Sequence, residues 1–178
     1  MEGTSPVAVL RLGHRPGRDE RTTTHVGLTA RALGADRVIL AGPAASRRET
    51  IESVVTRFGG HFDVESTDTP EAALNEWDGA IVHLTMYGLP IDDELTAIRD
   101  RHTGDTPLLI VVGAGKVPGS VFGHADWNVA VTNQPHSEIA ALAIFLDRLF
   151  CGRELDRSWP EAERTVVPQK AGKEIERR

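Results

Sequence analysis

The sequence predicts an α/β fold: a mostly parallel sheet with helices on both faces. Three observations predict it. Short apolar runs rich in β-branched residues alternate with segments of helical periodicity along the chain. One run, Leu108–Val112, is apolar at every position, as expected of a strand covered on both faces. The strand–helix order repeats without a long block of consecutive strands, which favours parallel pairing. The chain has 178 residues. That length suits one domain with at most a short appendage.

The elements follow in order. Val7–Leu12 reads as a first strand, and His14–Arg21, with Pro16 and Gly17, as a loop. Thr22–Leu33 reads as a helix, with Thr22, Thr23 or Thr24 as its cap and Gly34 as its stop. Arg37–Ala41 is a second strand. Arg47–Phe58 carries Ile51, Val54, Val55 and Phe58 at helical spacing and ends at Gly59-Gly60. Phe62–Ser66 is a third strand. Pro70–Glu76 is a short helix with Thr69 as cap and Pro70 at its first position. Ala80–Thr85 is a fourth strand, Ile91–Arg101 a helix, Leu108–Val112 a fifth strand and Val129–Val131 a brief sixth. Ser137–Phe150 is the strongest helix, with Ile139, Leu142, Ala143, Leu146 and Leu149 along one face. Residues 151–178 change character: Trp159-Pro160, a charged run, then Thr165–Val167. They read as an appendage holding one strand or a hairpin, with the last ~8 residues open between order and disorder.

Composition narrows the chemistry. A single cysteine, Cys151, rules out a disulfide framework and a cysteine-based zinc site. The seven histidines show no metal-ligand spacing, so no metal is expected. There is no Gly-x-Ser-x-Gly elbow for a serine nucleophile. No apolar run is long enough for a membrane span, and no signal pattern opens the chain. A cytoplasmic protein without membrane contact is expected. Net charge is −6, yet Arg11–Arg31 and Arg164–Arg178 are each locally basic. If those stretches meet in space, they form a phosphate-facing patch.

Three loops carry candidate chemistry. Gly13–His25 follows the first strand with Arg15, Arg18 and Arg21 among hydroxyl neighbours, a composition suited to phosphate or ribose. Its spacing is not that of a dinucleotide-binding glycine loop. Val112–Gly119 follows the fifth strand, and Gly113 and Gly115 allow a ligand close to the backbone. It is no nucleoside triphosphate loop, because Val117 replaces the magnesium-holding Ser/Thr. Asn133–Glu138 opens the last helix. Asn133 and Gln134 offer amides for an adenine edge or a ribose, while Ser137 is also accounted for as a helix cap. His83 reads as a packed strand residue, and Leu84–Gly88 as an apolar wall of the site.

The strings LRLGHRPGRDERTTTHVGLTARALGA, HLTMYG, VVGAGKVPG and NQPHSEIAALAIFLDRL together resemble the archaeal tRNA (cytidine-56) 2′-O-methyltransferase family of the SPOUT superfamily. The resemblance covers residues 7–150. It implies a C-terminal trefoil knot in a methyltransferase domain over residues 1–150, with 151–178 as its appendage. It also implies S-adenosylmethionine as cofactor, tRNA as substrate and a homodimer. Leu84, Gly113, Ala114, Gly115, Lys116 and Val117 would hold the cofactor, together with Val131, Thr132, Asn133, Gln134, Pro135, His136, Ser137 and Glu138. Gly115 stands where the resemblance leads one to expect Glu. For transfer to a ribose 2′-hydroxyl, Arg21 or Arg15 would orient the hydroxyl and steady its developing charge, and His25 is the candidate proton acceptor. Two other functions stay open at this point: a base methyltransferase of the same fold, and a non-catalytic RNA-binding module.

Overall fold

The computed structural model describes residues 5–103, 105–113 and 117–178. Six parallel strands form one sheet: β1 (Val7–Leu12), β2 (Arg37–Ala41), β3 (Asp63–Thr67), β4 (Ala80–Pro90), β5 (Leu108–Gly113) and β6 (Trp127–Ala130), in the order β3-β2-β1-β5-β4-β6. The helices between them are α1 (Glu20–Ala32), α2 (Arg48–Phe58), α3 (Pro70–Asn75), α4 (Ile91–Thr103), α5 (Gly119–His124) and α6 (Glu138–Phe150).

Alternate strand residues feed two apolar layers, one on each face. On one face, Val7, Val9, Leu40 and Ile110 pack with Val26, Ile51, Ile98, Leu142 and Phe145 from α1, α2, α4 and α6. On the other, Ala8, Leu10, Leu109 and Val111 pack with Leu74 of α3 and Val121 of α5. β1 and β5 lie side by side and are buried along nearly their whole length. That explains why both read as unbroken apolar runs.

Several boundaries differ from the sequence reading. α1 starts at Glu20 rather than at a threonine cap: Asp19 precedes it, and Thr23 and Thr24 lie inside the helix. A six-residue 3-10 turn, Gly42–Arg47, precedes α2. α5 went unseen in the sequence because Gly119–His124 is only six residues long and holds two glycines. β4 runs on to Pro90, because after an irregularity Leu89 and Leu84 both register with Val129 of β6. Thr69 precedes Pro70 as expected, but its side chain makes no capping hydrogen bond. Ser137 does cap α6, its Oγ accepting from the amides of Ile139 (3.1 Å) and Ala140 (3.4 Å).

After α6 the chain reverses through Cys151 and Gly152, both at positive φ, into a short 3-10 turn, Arg153–Asp156. It ends in an antiparallel hairpin of β7 (Arg164–Val167) and β8 (Glu174–Arg177), so the final residues are paired. Trp159 fastens this segment: the Arg31 guanidinium lies 4.2 Å from its ring centroid and also donates to the Gly59 carbonyl. No helix among the described residues is long and apolar enough to cross a membrane. Nor do the described residues hold a group of three His, Cys, Asp or Glu placed to bind a metal.

Candidate functional site

In a parallel sheet, ligands are bound beyond the carboxyl ends of the strands. Here a cavity of about 470 Å³ opens at the carboxyl ends of β4 and β5. Leu84–Tyr87 from β4 form one wall. Gly113 and Val117 form the second, and Pro135, His136, Glu138 and Ala141 at the start of α6 form the third. A Cβ on Gly113 would lie 2.1 Å from Cγ2 of Val117, so only glycine lets these two segments close.

The floor includes two residues that the sequence did not single out for the site. His83 is buried, with Nδ1 2.9 Å from Oδ1 of Asn128 and its ring edge-on to Phe122 at 4.7 Å between centroids. Burial pushes its pKa below the ordinary histidine value, against the opposing hydrogen bond to Asn128. His83 is thus the packed strand residue expected, and it lines the cavity as well. Phe122 belongs to α5, so its absence from the reading follows from the missed helix.

The Leu84–Gly88 excursion is braced from the third loop. The Asn133 amide donates to the carbonyls of Met86 (2.8 Å) and Gly88 (3.0 Å). A Cβ on Gly88 would sit 2.4 Å from the Asn128 backbone, so β4 and β6 approach closely there. Of the residues expected to hold a cofactor, Leu84, Gly113, Val117, Pro135, His136 and Glu138 line the cavity. Val131, Thr132, Asn133, Gln134 and Ser137 are not among its lining residues; Asn133 binds backbone carbonyls of the Met86–Gly88 excursion and Ser137 caps α6. The amide nitrogen of Asn133, expected to face a ligand, is engaged by the protein itself. Ala114, Gly115 and Lys116 lie outside the described residues.

The arginine loop stands apart. Arg15, Arg21 and His25 do not line this cavity. Arg15 is fastened to Asp19 by Nε (2.8 Å) and Nη2 (3.0 Å), and its backbone amide donates to the same carboxylate (2.9 Å). The Arg15 hydrogen bond holds the Asp19 carboxyl at about 2, well below the usual range, and raises the arginine's own pKa. Arg21 is exposed on the first turn of α1. His25 is exposed and lines a different hollow, between α1 and α6, with Leu28, Thr29, Ala32, Leu33 and Ala143. Within one chain it is therefore not among the residues that face the cavity.

The basic stretch is also thinner than its count suggested. Arg11 and Arg31 are buried and Arg15, though exposed, is paired with Asp19, which leaves Arg18 and Arg21 as its exposed cations without an ion pair among the described residues. The basic tail forms the hairpin, whose β7 packs beside α2.

Comparison with known proteins supplies the context. A family model described as tRNA ribose 2′-O-methyltransferase (aTrm56) matches residues 58–176. The tRNA (cytidine(56)-2′-O)-methyltransferase of Haloarcula marismortui is 59% identical over 175 residues, covering 98% of this chain and 97% of that protein. The Thermococcus kodakarensis protein of the same name is 54% identical, covering 95% and 96%. Among solved structures, the A. aeolicus TrmH/SpoU tRNA modifying enzyme has a TM-score of 0.59 at 17% identity, covering 84% of this chain and 76% of that one. The SpoU methyltransferase AviRb of Streptomyces viridochromogenes, crystallised with AdoMet, has a TM-score of 0.55 at 16% identity over 84% of this chain, which spans 61% of AviRb's length. At such identities these two establish a shared fold.

Proposed function

This chain belongs to the tRNA ribose 2′-O-methyltransferase family, and from that premise we propose that it methylates the ribose 2′-hydroxyl of cytidine 56 in tRNA, using S-adenosylmethionine. The observation that carries the reading is the convergence of three separate parts of the chain, Leu84–Tyr87, Gly113 with Val117, and Pro135, His136 and Glu138, on one cavity at the ligand-binding edge of the sheet. The choice of cytidine 56 rests on the names of relatives that match this chain along nearly its full length.

The cavity suits an adenosine-containing cofactor. It joins apolar surface from Leu84, Val117 and Ala141 to polar groups of Thr85, His136 and Glu138, and Gly113 opens its backbone cradle. S-adenosylmethionine supplies a methyl group already activated by a sulfonium charge, so the reaction needs no metal. The lining residues of the three loops would hold it, while Asn133 braces the Met86–Gly88 backbone and Ser137 caps α6. The C-terminal knot is part of the proposal. The Asn133 amide, in the segment that follows β6, donates to the Met86 and Gly88 carbonyls, a contact compatible with such threading.

The protein's remaining work concerns the nucleophile. A ribose hydroxyl must be oriented in line with the methyl group and must lose its proton. An arginine is too basic to take that proton in its ordinary state, but it can orient the hydroxyl and stabilise the developing oxyanion. Arg21 is better placed than Arg15 for this task, because Asp19 already occupies the Arg15 guanidinium.

A homodimer fits this division. The hollow between α1 and α6 has exposed Ile144 on the neighbouring helix surface, and a second copy seated there would place His25 at the interface. An arginine of one protomer would then serve its partner's cavity. Residues 1–150 would form the methyltransferase domain and 151–178 the appendage, in an enzyme working on tRNA in the cytoplasm.

The test is methyl incorporation into a tRNA transcript. The expected product resists alkaline cleavage at position 56, and replacing that cytidine abolishes labelling. A methylated product that is still cleaved there would identify a base methyltransferase. Calorimetry without cofactor binding would point to an RNA-binding module. Sedimentation as a monomer at micromolar concentration would remove the dimer.

A further inference from the structure

β1 is buried at all six positions, and five are apolar; the exception is Arg11, whose side chain is wholly inaccessible. It projects from the carboxyl end of the strand toward the layer of α1 and α6. A hydrophobic residue there would continue the stripe of Val7 and Val9. Replacing a buried ion pair by apolar residues of similar volume is often neutral or stabilising. Stability therefore does not explain a charge at this position.

Its contacts do. Nη1 donates to the Leu12 carbonyl (2.9 Å), at the residue paired with Gly113 of the cavity wall. Nη2 lies 3.1 Å from Oε1 of Glu138, the carboxylate that lines the cavity at the first turn of α6. Nε donates to the Thr23 hydroxyl on α1 (3.3 Å). That hydroxyl lies 2.7 Å from Nδ1 of buried His14, whose Nε2 is 3.7 Å from Glu20. Glu20 in turn accepts from the Gly17 amide (3.1 Å) and pairs with Arg47 (2.8 Å). A run of polar neighbours thus leads from the cavity wall into the arginine loop, hydrogen-bonded at Thr23 and held by proximity of charge and imidazole at Glu138 and Glu20.

We propose that Arg11 is a positioning residue: through Glu138 on one side and Thr23 on the other, it fixes the arginine loop and α1 relative to the cavity. The inference rests on the methyltransferase reading above. It assigns to Arg11 the alignment of two bound reactants rather than the binding of either. The contact with Glu138 is close but poorly directed, since Nη2 has no hydrogen bond of good geometry among the described residues. The pair therefore holds α6 mainly by charge, and a neutral residue cannot replace it in that role. Burial weakens the guanidinium's hold on its proton, and the Glu138 carboxylate opposes that loss.

Full-length Arg11→Met, Glu138→Leu and Arg11→Met/Glu138→Leu proteins test this through four readouts. These are single-turnover methyl transfer, calorimetric cofactor affinity, tRNA affinity and melting temperature. Glu138→Leu strands the wholly buried guanidinium and should melt earliest. Arg11→Met leaves the partly exposed Glu138 carboxylate without its partner and should transfer methyl about 10- to 100-fold more slowly. Its affinity for both ligands should stay near the wild-type value. The double variant should regain the melting temperature lost by Glu138→Leu, because no buried charge is left alone, but its rate, read at saturating cofactor because Glu138 also lines the cavity, should stay at that of Arg11→Met. Recovery of the rate together with the melting temperature would overturn the proposal and make the pair merely structural. A rate loss explained entirely by weaker cofactor binding would overturn it too. A wild-type protein inert on tRNA would remove the methyltransferase reading and this inference with it. An active wild type matched in rate by Arg11→Met would remove only the inference.

Discussion

Two loop systems share the carboxyl edge of the sheet, and they are built differently. The cavity loops are assembled from three distant parts of the chain and held by backbone contacts: the Gly113–Val117 approach, the Asn133 amide on two carbonyls and the Ser137 cap. The arginine loop is closed on itself by neighbours in sequence, with Arg15 on Asp19 and Gly17 on Glu20, and is anchored to the fold through His14, Thr23 and Arg47. The first system can fix the shape of a ligand only when the whole fold is in place. The second keeps its conformation locally and presents Arg18 and Arg21 outward. A rigid pocket beside a loop of exposed cations suits a reaction that brings a large polyanion to a small cofactor.

Substitutions can break this contrast, starting with the largest effect. Arg21→Ala is expected to slow single-turnover methyl transfer about 100-fold or more, as when a group that stabilises developing charge is removed. Cofactor affinity measured by calorimetry should be unaffected; a parallel loss of cofactor binding would show that the two systems are not separate. Gly113→Ala should do the reverse. The added methyl collides with Val117, and overpacking of about 1–3 kcal/mol corresponds to a Kd raised about 5- to 150-fold. Asn133→Ala leaves the Met86 and Gly88 carbonyls unbraced. At about 1 kcal/mol per hydrogen bond, cofactor affinity should fall about 5- to 30-fold, with tRNA affinity retained.

The smallest effect sharpens the arginine side. Asp19 has its folded-state pKa lowered to about 2 by Arg15. Its contribution to stability is therefore complete above the unfolded-state value near ~3.9 and is lost as pH falls from about 4 toward 2. Asp19→Asn should flatten that part of the acid-unfolding profile. At neutral pH it should lower the melting temperature by about 2–4 °C per kcal/mol lost in a chain of this size. An unchanged acid limb would mean that the pair contributes nothing to the fold.

Much of the fold was legible because its elements carry strong local signals. β1, β2 and β5 are apolar runs, and α6 has a hydroxyl cap followed by helical spacing. What escaped was decided at longer range. The 85–90 part of β4 has exposed Tyr87 and Leu89, and it becomes strand only by pairing again with Val129. α5 is too short and too rich in glycine to announce itself, and with it went Phe122. The threonines of α1 look like caps, but Asp19 and Glu20 start the helix one turn earlier.

By itself the sequence determined the α/β layering and singled out the loops after β1, β5 and β6 as candidates, because periodicity and glycine placement act over a few residues. Only the tertiary structure decided what those loops do. It joined Leu84, Gly113 and Glu138 in one cavity and set His25 in another hollow. It also turned Arg11, which counts in the sequence as one more basic residue, into a buried partner of Glu138. The physical reason is range: hydrogen bonds and ion pairs need angstrom-scale proximity between residues over a hundred positions apart, and a parallel sheet supplies it by bringing the carboxyl ends of distant strands together.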